Sequence, residues 1–159
     1  MIEHATYPVE VHWSGKKSAI AGSDRDHLPE LALASPPEFG GPPNTWSPEH
    51  LYVASIAACF MTTFEAIAEI SQLPIRGFDV AARGELVRGE DRRYRFTRVE
   101  LVPRILVDDQ RDVERALRLV PKAEQACLIS RSVSSDVVVL PEVAIAAAQP
   151  PAAELVPTA

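Results

Sequence analysis

The sequence predicts an α+β domain with mostly antiparallel strands, and three observations carry that class. Short runs with period-two alternation open and close the chain, one long apolar helix fills its middle, and two extended strands follow that helix directly as a hairpin. The order is strands, long helix, two strands, helix, strand, which lacks the strict strand–helix alternation of a parallel sheet.

Tyr7-Pro-Val-Glu-Val-His-Trp13 alternates apolar and polar residues and reads as a half-buried strand. Ser14-Gly15 turns it onto Ser18–Ala21, and Glu30–Ala34 makes a third short strand. Ser35–Asn44 then holds four prolines and two glycines in ten residues, a density at which no regular element is expected. Irregular loops of this kind inside a compact domain are usually functional or mobile.

Ser47-Pro48 is a helix start, with a capping hydroxyl followed by proline at the first helical position. The helix is predicted from Pro48 to about Gln72, where Leu73-Pro74 ends it. From Leu51 to Ala68 it is apolar on nearly every face, so it needs cover all round, from a domain core or a partner. Strands Ile75–Val87 and Arg93–Val107 follow around the polar turn 88–92. Asp109 caps a second helix with Val113, Ala116, Leu117 and Val120 at helical spacing, and Pro121 is expected to kink or restart it before Lys122–Cys127. Ser135–Leu140 is the last predicted strand. Residues 1–145 therefore make one domain, and 146–159, rich in alanine and proline, an expected disordered tail.

At 159 residues the chain suits one domain with a real core rather than two. A formal charge of -6 argues against nucleic-acid or anionic-membrane partners, which need basic patches. No positively charged start leads into an apolar run, and the longest apolar stretch, Leu51–Met61, is too short for a bilayer. The expected location is cytoplasmic. In a reducing compartment a permanent disulfide is disfavoured, whereas a transient one is chemically useful.

The two cysteines, Cys59 in Ala57-Ala58-Cys59-Phe60 and Cys127 at the end of the second helix, are 68 positions apart and form no metal motif. Taken singly, each fits a small core hydrophobe as well as a reactive thiol. The four histidines are scattered, with His50 near a helix start reading as a surface residue. No nucleophile elbow supports a serine hydrolase, and Gly40-Gly41 lacks the lysine of a phosphate loop.

The run Pro37–Phe60, with Ser47-Pro48-Glu49 ten residues ahead of Ala57-Ala58-Cys59-Phe60, resembles the signature of the OsmC/Ohr family. Ala123-Glu-Gln-Ala-Cys127-Leu-Ile-Ser130 is similar to the family's second-cysteine motif, Ala-x-x-x-Cys-Pro-x-Ser, with Leu128 in place of the proline. The resemblance covers residues 7–142 in element order. It implies an intertwined homodimer with active sites at the interface, no cofactor, and reduction of organic hydroperoxides by a cysteine pair. Cys59 would become a sulfenic acid, Cys127 would close a disulfide on it, and an external dithiol, possibly that of a lipoyl protein, would reset the pair. An apolar setting for Cys59 suits alkyl or fatty-acid hydroperoxides.

Burial in hydrocarbon raises a thiol's pKa, so a cation is expected to offset it. In the family an arginine does so, held by the glutamate that Glu49 matches. Glu49 lies about 15 Å of helical rise from Cys59, so it reaches the thiol only through another group or a partner subunit. The Ohr-type arginine position falls on Lys17, beside Lys16, and the OsmC-type position near Phe39 offers no cation. Arg25 is the one arginine before the helix and fits neither register. Lysine supplies a point charge without the planar fork of arginine. The expected site is therefore Cys59, Cys127, Glu49 and Lys17. The alternative reading is a dimer of this fold that holds a small apolar ligand at its interface, with the thiols incidental.

Overall fold

In the computed structural model, which describes residues 3–23 and 26–147, the N-terminal strands form an antiparallel meander. It consists of β1 (Glu10–Gly15), β2 (Ser18–Ser23) and β3 (Leu28–Ala34), in the order β1-β2-β3. β1 starts later than its alternation predicts, because Pro8 has no N–H to give a ladder. Gly15 and Lys16 take positive φ, 119° and 48°, and so close the β1–β2 hairpin.

The proline-rich segment is more ordered than its composition predicts. Pro37–Phe39 make one 3₁₀ turn, and Gly40 ends it at φ 77°, its N–H donating to the Pro37 carbonyl. A Cβ on Gly41 would lie 1.6 Å from the Ser35 carbonyl oxygen, so only glycine fits there. The prolines break extended helix and strand but suit the first residue of a tight turn.

Helix α1 spans Pro48–Ile70. The Ser47 Oγ accepts from the His50 N–H at 3.3 Å, which is the predicted cap. The helix ends as Leu73-Pro74 requires. Gln72 adopts φ 52°, Leu73 N–H donates to the Ala68 carbonyl, and Gln72 N–H to that of Glu69, the left-handed C-terminal motif that satisfies the last carbonyls. The described chain divides into two compact units between Ser55 and Ile56.

In the second unit the hairpin β4 (Gly77–Arg88) and β5 (Tyr94–Val107) pairs antiparallel along its whole length. The other edge of β5 carries two short strands in parallel, β6 (Asp136–Val139) on Arg98–Leu101 and β7 (Glu142–Ile145) on Arg104–Val107. The sheet is thus mixed rather than antiparallel throughout. β7 was not foreseen, because Pro141 separates it from β6 and its Ala-rich sequel reads as tail. Leu140 N–H on the Leu101 carbonyl and Ala146 N–H on that of Val107 keep the segment on the same edge. Most of the expected tail, 148–159, lies outside the described residues.

Helix α2 runs Gln110–Ala126, capped by the Asp109 carboxylate on the Asp112 N–H. Pro121 does not divide it. Leu117 and Pro121 are both exposed, so the missing bond falls on the solvent side, where water replaces it. Around β5 the core follows period two, with Val99, Leu101, Ile105 and Val107 all fully buried. α1 adds Ile56, Phe60, Phe64 and Ala68 at i, i+4 spacing, and α2 adds Ala116, Leu119, Val120 and Ala123. The Phe64 ring packs on those of Phe60 and Phe78, with centroids at 6.3 and 5.1 Å.

That single buried stripe is narrower than the circumference predicted for α1. By length and mean hydropathy (23 residues, 1.6 over its most apolar window) the helix meets the dimensions of a membrane span, and 22% of that window is buried. That 18-residue window, about 27 Å of helix at the usual rise per residue, thus keeps faces that one chain does not cover.

Candidate active site

Two elements bring the thiols together in the second unit. Cys59 sits on α1, one position before the buried Phe60, and is half-buried. Cys127 ends α2 and is fully buried. Both are free thiols, and the Cys127 S–H donates to the Cys59 sulfur. At Cys127 the backbone leaves the helix (φ -64°, ψ 112°), which releases the next N–H groups from the helical ladder. The Ile129 N–H donates to the Cys59 Sγ at 3.4 Å. Thr63, one helical turn after Cys59, adds a hydroxyl. Ser130 Oγ donates to the Cys127 Sγ at 3.1 Å.

These contacts move the two thiols in opposite directions. Burial pushes the Cys59 thiol up, but the donated bonds from Ile129, Cys127, Thr63 and Leu128 outweigh it and hold Cys59 below the ordinary thiol value. Burial pushes Cys127 up, Ser130 pulls it down, and the hydrogen bond and charge of Cys59 push it up again, leaving it above the ordinary value. Among the described residues the donors that offset burial at Cys59 are uncharged groups of the same unit.

Glu49 and Lys17 belong to the first unit. Among the described residues the buried Glu49 Oε2 has no hydrogen-bond partner, so that oxygen lacks the donor that burial demands. The Lys17 Nζ donates to the Phe39 carbonyl, and the Ser35 N–H to the Lys17 carbonyl, so Lys17 fastens the proline-rich turn to the first hairpin. Arg25 lies outside the described residues. His50 is exposed, as expected, but its Nδ1 lies 2.8 Å from the Ser47 Oγ. Among the described residues no group of three His, Cys, Asp or Glu side chains could hold a metal ion.

Sequence reasoning missed Thr63 and the N–H groups of Leu128 and Ile129. Thr63 was available from its spacing, four residues after Cys59. The main-chain donors carry no residue-type signal, since every residue but proline has one.

Comparison with known proteins places this arrangement. The model of the family described as OsmC-like protein matches residues 41–141, which include Glu49, Cys59 and Cys127. The chain is 24% identical over 140 residues to the uncharacterized protein YmaD of Bacillus subtilis (strain 168), covering 86% of this chain and 91% of that one. Among solved structures, an OsmC-like protein of unknown function from Vibrio cholerae aligns with a TM-score of 0.79 at 18% identity, over 87% of this chain and 100% of that one. An organic hydroperoxide resistance protein OsmC from Legionella pneumophila aligns at 0.70 and 26% identity, over 88% and 98%. The organic hydroperoxide resistance protein OhrB of Bacillus subtilis aligns at 0.63 and 26%, over 88% and 100%. With more than half of the chain inside the family match and the same α+β arrangement in these structures, the chain belongs to the OsmC/Ohr family of OsmC-like proteins.

Proposed function

We propose that this protein is a thiol-dependent peroxidase that reduces organic hydroperoxides. The observation that carries the reading is the thiol pair itself, two free cysteines in hydrogen-bond contact with their ionisation shifted in opposite directions. A nucleophile has to be a thiolate at working pH, and its resolving partner has to keep its proton until it attacks.

The Cys59 thiolate attacks the distal oxygen of the hydroperoxide. An S–O bond forms, the O–O bond breaks, and the alkoxide leaves and takes a proton from water, which gives Cys59 sulfenic acid and an alcohol. Cys127 then attacks the Cys59 sulfur, and the sulfenic hydroxyl departs with the Cys127 proton as water. The product is a Cys59–Cys127 disulfide. An external dithiol, of the lipoyl type or another, reduces it by exchange and is itself oxidised to a disulfide.

Glu49 and Lys17 act in this reading as positioning residues. Glu49 is a half-buried carboxylate whose buried Oε2 takes its donor in the assembled protein, and Lys17 holds the Phe39 turn in place. The apolar faces that α1 leaves uncovered support a homodimer, in which a second copy covers them. The working location is cytoplasmic, where the disulfide stays transient.

Single-turnover loss of both thiols after one equivalent of cumene hydroperoxide, compared with hydrogen peroxide, tests the activity. The expected result is complete loss with the organic peroxide and slower loss with hydrogen peroxide. No loss with either leaves the dimer as a binder of small apolar ligands.

A further inference from the structure

Helix α2 carries four cations on one face. Arg111, Arg115, Arg118 and Lys122 follow at intervals of four, three and four residues, so successive members lie one turn apart. Arg111 and Arg115 bring their own counterions, Asp109 at 3.4 Å and Asp112. Arg118 and Lys122 are exposed, and among the described residues neither has an ion pair or a hydrogen bond. Even Glu114, one turn before Arg118, does not pair with it. Like charges one turn apart repel, so these two positions hold charge that the second unit leaves without a partner.

Both side chains border a surface cavity of about 390 Å³, lined by Ser71, Arg115, Arg118, Leu119 and Lys122. All five residues belong to the second unit, and the volume suits a small ligand. Leu119, 7% exposed, supplies an apolar wall. Arg115 holds the opposite side in place. Its Nη2 donates to the Ser71 and Gln72 carbonyls at 2.8 and 2.9 Å, and its Nη1 donates to the Asp112 Oδ1. The carbonyl dipoles at the end of α1 are thereby paired and do not repel an anion in the cavity.

We propose that this cavity binds a small phosphate monoester, with the phosphate on Arg118 and Lys122 and the ester group against Leu119. Two unpaired cations match the charge of a phosphate monoester near neutral pH, about -1.5 to -2, and the apolar wall matches an organic ester group. Arginine offers a planar fork for two phosphate oxygens, and lysine adds a compact point charge. The chain as a whole carries a formal charge of -6, so it repels anions in general, and attraction here belongs to the α2 face. None of the lining residues hydrogen-bonds to either thiol, and the proposal stands apart from the peroxidase reading.

Calorimetric titration of the full chain with phenyl phosphate tests it, at an ionic strength held constant with chloride. Inorganic phosphate and phenol serve as the two halves of the probe. One site per chain is expected, with phenyl phosphate binding more tightly than inorganic phosphate and phenol giving no signal. Arg118→Gln and Lys122→Gln are each expected to weaken phenyl phosphate binding by roughly tenfold or more, the usual loss for one charge-assisted hydrogen bond. Arg118→Lys, which keeps the charge without the fork, is expected to weaken it less than Arg118→Gln.

Positive charge in the second half of α2 also complements the helix dipole. Were that its whole role, both glutamine variants would melt below the parent and bind phenyl phosphate as the parent does. The proposal expects the reverse, a parent-like Tm with binding lost. No binding in the parent, equal binding in the glutamine variants, or phenol bound as tightly as phenyl phosphate overturns it.

Discussion

The Ile129 main-chain N–H donates to the Cys59 Sγ at 3.4 Å across a sequence separation of 70 residues. That bond joins the middle of α1 to the turn after α2, and it sits beside the contact between the two thiols. Ionisation of Cys59 therefore depends on how α2 ends, not only on the helix that carries the cysteine.

The opposite shifts of the two thiols predict their order of reactivity. Cys59, held below the ordinary thiol value, ionises first as pH rises, and Cys127, held above it, ionises last. Labelling with iodoacetamide is expected to modify Cys59 at neutral pH and Cys127 only in alkali, with burial slowing Cys127 further. Peptide mapping across a pH series reads both. Equal profiles would contradict the assignment of nucleophile and resolving thiol.

Ser130 donates to the Cys127 Sγ at 3.1 Å, and this bond favours the Cys127 thiolate. Ser130→Ala is expected to push Cys127 further up and to slow disulfide closure, while the first reaction with peroxide keeps its rate. Trapping with a dimedone probe is expected to show a longer-lived Cys59 sulfenic acid than in the parent.

Phe64 is fully buried and lies between the rings of Phe60 and Phe78. Phe64→Ala leaves a cavity where α1 meets β4, and an aromatic truncation of that kind costs about 3–5 kcal/mol. Urea unfolding is expected to show a lower midpoint with an unchanged slope. A loss under about 1 kcal/mol would mean the site collapses and α1 is not fixed by this contact.

The remaining apolar surface of α1 predicts assembly. Only Ile56, Phe60, Phe64 and Ala68 of its 23 residues are buried in one chain. Sedimentation at micromolar concentration is expected to give a homodimer, with an interface in the obligate range of roughly 2,000 Å² or more. A well-folded monomer would contradict it.

Element type was legible wherever periodicity or a cap set it. Ser47-Pro48 and Leu73-Pro74 bounded α1, and Asp109 started α2, because those residues act through their own side chains or rings. The parallel pairing of β6 and β7 was not legible, since a four-residue strand has no pattern that tells its partner's direction. Pro121 misled for a related reason. Its cost depends on whether the orphaned carbonyl meets water, which exposure decides and sequence does not state. At the site, Cys59, Cys127 and Glu49 could be named from motif spacing. The peptide donors to Cys59 could not, since a peptide N–H looks alike at every position.

The pairing of Cys59 with Cys127 is the central claim, and mass spectrometry after one equivalent of cumene hydroperoxide tests it most directly. The account predicts an intramolecular Cys59–Cys127 disulfide in the parent, and in Cys127→Ser a Cys59 sulfenic acid that goes on to the sulfinic acid when peroxide is in excess. Both thiols unchanged in the parent, or a disulfide joining Cys59 to Cys59 of a second chain, would contradict it.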